Sequence, residues 1–162
     1  MNTRIARAEN YDAAFRDAGS IQYIVVHCAE HGDTAQENAA YLAQRAVGTS
    51  VHVWVDGAAV WRSVLDVHTA WHCGTRGLYF HPFCRNQNSL GVALCGEKDQ
   101  NGTRYFSAQT LTRAAQWVQH WCRVYAIPPQ RVLRHYDVTH TVCPEPFVRN
   151  ATAWEQFQKL LS

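Results

Sequence analysis

The chain has 162 residues, 47% of them hydrophobic and 12% aromatic, and a formal net charge of only +2. That length suits one domain, residues 1–162, with a real core, and the absence of a Lys/Arg block leaves no electrostatic footprint for nucleic acid. No run of 18 apolar residues marks a membrane span, and the opening MNTRIARAENYDAAFRDAG lacks the apolar stretch of a secretory signal, so a target outside the cytoplasm would need another route or an upstream part.

IQYIVVHC, Ile21 to Cys28, is an apolar, β-rich run and reads as a buried strand. Thr34 with Glu37 three residues later forms a capping box, which predicts a helix from about Ala35 to Val47. VHVWVDGAAVWRSV alternates, with Val51, Val53 and Val55 on one face and His52 and Trp54 on the other. Its Asp56-Gly57 pair predicts a hairpin.

Leu65 to Asn88 has neither period, and irregular stretches of that length are often functional. It carries His68, Trp71, His72, Tyr79, His81 and Phe83, and is expected to wall a groove. SLGVALC reads as a strand with Leu90, Val92 and Leu94 facing the core and Gly91, Ala93 and Cys95 opposite. EKDQNGTRYF is a loop or short hairpin. A second helix starts at Ser107, carries Leu111, Ala114, Ala115, Val118, Cys122 and Tyr125 at helical spacing, and stops at Pro128-Pro129. RVLRH is a short strand, and TAWEQFQKLL is a closing helix with Trp154, Phe157 and Leu161 on one stripe. The fold class is therefore α/β, a single domain with a central mixed sheet flanked by helices.

Cysteine and histidine are the unusual counts. Six cysteines suit disulfides, and Cys73 with Cys84 could pair across the long loop, but the missing signal argues for a reduced compartment. No C-x-x-C occurs, which argues against a zinc ribbon. His27 and His135 each end a strand, and Cys143 follows a loop that can turn back. Together they could supply the three protein ligands of a catalytic zinc at one end of the sheet. Spacing alone also allows two hydrogen-bonded histidines and a small core cysteine.

The blocks YIVVHCAEHGDTAQENAAYL, SVHVWVDGAAVWRSV, AWHCGT, HPFCRNQNSLGVALC and IPPQRVLRHYDVTHTVCPEPF add a further signal. In order and spacing they resemble the zinc N-acetylmuramoyl-L-alanine amidases of endolysins and autolysins, relatives of peptidoglycan recognition proteins. The resemblance implies Zn2+ on His27, His135 and Cys143, and hydrolysis by a zinc-bound water of the amide between N-acetylmuramic acid and L-Ala. It implies peptidoglycan as partner, and a monomer is expected. Trp71, His72 and Asn88 fall where the family builds its groove wall, although Trp71 could pack under the loop and Asn88 could cap a turn. His52 matches a histidine beside the metal and is expected to support it from behind. Asp137 is a candidate acceptor for a ligand's second ring N–H, or a cap for the following loop. His140 is expected at the surface or in the groove.

The match breaks at the proton-handling group. Many relatives carry a Glu general base where this chain has Ala93, and others a Tyr where it has Val51. A helper, often Lys, is here Thr141. Glu97 lies four residues past Ala93, roughly 13 Å along an extended strand, too far to substitute. The resemblance thus implies an amidase impaired at Ala93. The alternative is a homologue that binds peptidoglycan, or a protein partner, without cutting.

Overall fold

The computed structural model describes residues 1–74 and 77–162; Thr75 and Arg76 of the long loop lie outside the described residues. A six-stranded mixed sheet forms the centre. Its strands are β1 (Asn2–Thr3), β2 (Tyr23–Cys28), β3 (Val53–Val55), β4 (Val60–Arg62), β5 (Ser89–Leu94) and β6 (Val132–Arg134), in the spatial order β1-β4-β3-β5-β2-β6. The β3–β4 hairpin is antiparallel and the remaining pairs are parallel. The helices are α1 (Ala35–Gln44), α2 (Ala108–Val124), α3 (His135–Thr139), α4 (Glu145–Arg149) and α5 (Ala151–Lys159).

The two faces of the sheet have different fates. Ile24, Val26, Val53, Val55, Leu90, Val92 and Leu94 pack against Ala114, Val118 and Trp121 of α2 and Trp154 and Phe157 of α5. Burying each of these larger side chains contributes about 1.5–3 kcal/mol before entropy is counted. On the opposite face, Trp54 and Ala93 pack with Ala35, Ala39 and Leu42 of α1. The period-2 reading of SLGVALC holds. The largest fully buried side chain of α2 is Trp121, while Leu111, Cys122 and Tyr125 of the expected stripe are only partly buried.

Two expectations shift. Val51 and Val53 do not share a face: Val53 joins the α2 side and Val51 the α1 side. The His52 carbonyl accepts from both Ser63 and Val64, and regular pairing of β3 begins only at Val53. Helix α1 ends at Gln44 rather than Val47, because wholly buried Asn10 takes over its end. The Asn10 amide donates to the carbonyls of Leu42 and Arg45, and its oxygen accepts from Val47 and Gly48. EKDQNGTRYF is a short hairpin, Glu97–Lys98 paired with Arg104–Tyr105. Glu97 accepts from the Tyr105 hydroxyl there and is absent from the cleft described below.

Polar anchors hold the long loop. Asp66 accepts from the Trp121 indole of α2 and from the hydroxyl of Tyr125, which caps that helix, and pairs with Arg62. The Arg16 guanidinium reaches the carbonyls of Asp66, Asn86, Gln87 and Ser89, so one cation ties the start of the loop to its end.

Candidate metal centre

Parallel pairing builds the site. The register sets Arg134 of β6 beside Val26 of β2, so the residues that follow, His135 at the start of α3 and His27 one before the end of β2, come side by side with ring centroids 4.7 Å apart. The chain then runs through α3 and folds back, and the Tyr136 N–H donates to the Cys143 carbonyl at 2.8 Å. Cys143 Sγ thereby stands 3.8 Å from His27 Nδ1 and accepts from the Cys28 N–H. Ligand-capable atoms of His27, His135 and Cys143 all lie within 4.8 Å of one another.

Burial sets the protonation. The His27 imidazole lies well below its ordinary value, by burial first and then by His135 and His72. His135 is pushed down to about 4, chiefly by burial. The Cys143 thiol is pushed up to about 12 by burial, against the Cys28 N–H. Both rings are thus neutral, as metal ligands must be. A bound cation would reverse the thiol's preference, since coordination deprotonates it outright. Among the described residues, buried His135 Nε2 has no hydrogen-bond partner. Tetrahedral zinc spaces nitrogen and sulfur ligands about 3.3–3.6 Å apart, so the set fits with a small inward movement.

The trio lies in a cleft of about 510 Å³. Leu42 of α1, Thr49–Val51, Trp54, Ala93, Thr141 and the long loop line it. The loop contributes Trp71, His72, Gly74 and Asn86. The Trp71 indole donates to Asp12. Ala93 is 1% exposed and sits in register between His27 and Trp54. Thr141 is at the rim, its hydroxyl 2.8 Å from that of Thr139. Glu30 is the one carboxylate among the described lining residues.

Other sequence candidates fall elsewhere. Asn88 is absent from the cleft lining; its side chain closes a turn between Arg85 N–H and the Phe83 carbonyl. Asp137 caps α3 and pairs with Arg134, so it serves neither ligand ring. His140 is sandwiched between Phe80 and Tyr136 outside the lining. His52 is wholly buried one ring behind His72 and accepts from the Gly91 N–H. Cys73 and Cys84 are buried in one small cluster as free thiols. Asn86 and Ser89 were not singled out from the sequence. Asn86 Oδ1 accepts from the His72 and Cys73 N–H groups, and Ser89 Oγ meets His72 Nε2. The positions of both, at the end of an aromatic loop, carry no pattern that marks them.

The family model for N-acetylmuramoyl-L-alanine amidase matches residues 17–146. The chain belongs to this amidase family. A Bacillus licheniformis protein named "Probable N-acetylmuramoyl-L-alanine amidase" is 30% identical over 161 residues, 94% of this chain and 44% of that protein. The amidase domain thus spans less than half the length of the curated relatives it matches. The structure of PlyL superposes with a TM-score of 0.80 at 18% identity, covering 100% of this chain and 96% of that one. AmiD of E. coli, solved with anhydro-N-acetylmuramic acid-L-Ala-D-gamma-Glu-L-Lys, gives 0.65 at 21% identity over 87% of this chain and 57% of its own. These likenesses show the fold: an α/β amidase domain with a central mixed sheet. No helix among the described residues is long and apolar enough to cross a membrane.

Proposed function

We propose that this domain is a zinc-dependent peptidoglycan amidase acting on the bond between N-acetylmuramic acid and L-Ala, and that Ala93 leaves it slow. The observation that carries the reading is the buried His27, His135 and Cys143 trio opening into a cleft, within a chain of this family. The name of the AmiD complex supports the substrate class.

His27, His135 and Cys143 would hold the ion through two neutral nitrogens and one thiolate. When bound, zinc supplies a Lewis acid that polarises the scissile carbonyl and lowers the pKa of water. The remaining work belongs to side chains. Trp71, at the cleft wall, presents an aromatic face to a sugar or peptide, and its indole N–H is held by Asp12. Thr141 carries a rim hydroxyl that can donate to the carbonyl oxygen as charge develops on it. His52 fixes the Gly91 backbone beneath the site by accepting its N–H.

Ala93 offers no proton acceptor. Its methyl group forms part of the cleft floor where relatives' Glu would take a proton from the attacking water. This favours a second reading, a homologue that binds peptidoglycan without cutting. Sedimentation with insoluble peptidoglycan, followed by peptide release from purified muropeptide, separates the two. Binding with slow, zinc-dependent release supports the enzyme. Binding with no release at any enzyme concentration supports the second reading, and no binding refutes both.

A further inference from the structure

We infer that His72 is a positioning residue that fixes the ring tautomer of His27 through a one-way chain of hydrogen bonds ending on the Arg85 carbonyl. The inference rests on the metal reading for its purpose, though the chain itself stands on geometry alone.

The chain is read from its far end. Ser89 Oγ lies 2.7 Å from the Arg85 carbonyl oxygen. A carbonyl has no hydrogen, so the serine hydroxyl must donate its single proton there. Ser89 Oγ is then an acceptor toward His72 Nε2, 3.1 Å away. His72 Nε2 therefore carries a hydrogen, and in a neutral ring Nδ1 keeps its lone pair. That lone pair faces His27 Nε2 at 3.0 Å, so His27 Nε2 must be the donor. A neutral His27 is left with its lone pair on Nδ1, the nitrogen that faces Cys143 Sγ. The serine thus selects which nitrogen of His27 is free to bind a metal, two rings away.

The fold guards this geometry. The main-chain N–H groups of His72 and Cys73 both donate to Asn86 Oδ1, which pins the loop over β5. The His72 ring then lies on Gly91. A Cβ there would come within 2.8 Å of ring Cγ and 2.9 Å of ring Nδ1, so glycine provides the space the ring occupies. Both His72 nitrogens are engaged internally, and the residue is only 9% exposed. This assigns His72 to holding His27, in place of the substrate contact that its loop position suggested.

The test is long-range proton–nitrogen correlation spectroscopy of histidine rings in 15N-labelled, metal-free protein at pH 8, with zinc affinity measured in parallel. Wild-type His27 is expected to carry its proton on Nε2. Ser89→Ala removes the hydroxyl that accepts from His72 Nε2 and should give His27 mixed tautomers with zinc affinity about ten- to a hundredfold weaker. His72→Leu should do the same. His72→Asn, whose side-chain oxygen can take the place of Nδ1, should restore the wild-type tautomer and most of the affinity. A wild-type His27 protonated on Nδ1 overturns the inference. So does an unchanged His27 spectrum in both Ser89→Ala and His72→Leu. The expected tautomers without zinc binding would instead overturn the metal reading and leave the relay standing.

Discussion

Replacing Ala93 by Glu should raise the rate of peptide release at least a hundredfold. Ala93 is in register between His27 and Trp54, and it lines the same cleft as His135 and Cys143. A glutamate there would extend four further heavy atoms from the lining of a cleft of about 510 Å³. A positioned general base contributes about a hundred- to ten-thousandfold, or about 3–5 kcal/mol of barrier. The neighbours Leu42, Val51 and Trp54 are apolar. They would raise the carboxylate's pKa and a bound cation would lower it, the two together keeping it ionised as a base near pH 7. The same surroundings should cost about 1–3 kcal/mol of stability when a carboxyl is placed among them. The assay is release of peptide from purified muropeptide by both proteins at matched zinc, after each is shown to bind the fragment. Equal and substantial rates would refute the reasoning and assign the proton to another acceptor, with Glu30 and His31 already at the cleft. Equal absence of release with intact binding would make the chain a binding homologue.

Two further outcomes concern the scaffold. Arg16→Ala removes the cation that reaches four carbonyls across the two ends of the loop; it should lower stability by about 2–4 kcal/mol in urea unfolding and expose the 65–88 segment to proteolysis, and a loss below about 0.5 kcal/mol, the scale of an ordinary surface change, would show that the carbonyls find other partners. The buried His52 imidazole lies well below its ordinary value, first by burial and then by His72 and Arg16. An unfolded histidine titrates near about 6.5, so the unfolded chain binds the extra proton below that pH. The stability due to neutral His52 is therefore present above about pH 6.5 and lost as pH falls below it. Urea midpoints should drop between pH 7.5 and pH 5, and His52→Asn, which can still accept from Gly91 N–H, should flatten the drop; identical slopes would exclude His52 as the cause.

The elements that periodicity governs were legible in the sequence. Alternation in SLGVALC gave the correct core face because one side of β5 meets α2 and the other meets α1 and the cleft. The Thr34 capping box started α1 where expected, since that signal is local. Its end was not legible, because Asn10, some thirty residues upstream, supplies the bonds that stop it. The trio was legible through family resemblance more than through strand ends, since β2 runs one residue past His27 and His135 opens α3, and parallel register still brings the two together. Arg16, Asn86 and Ser89 were not, because each acts through main-chain N–H or carbonyl groups and single ring atoms that leave no periodic mark. For the same reason Asn88 and Asn86 could not be told apart within CRNQNS, although one closes a turn and the other lines the cleft.

Everything proposed for the site depends on His27, His135 and Cys143 holding one zinc ion. X-ray absorption at the zinc edge, on metal-free protein reloaded with a single equivalent, counts the ion and its ligands together. One zinc per chain is expected, with one sulfur at about 2.3 Å and nitrogens at about 2.0–2.1 Å, and Cys143→Ser should lose the sulfur shell and retain the ion more weakly. Zinc that fails to bind, or binds without a sulfur neighbour in the unaltered protein, would contradict that assignment.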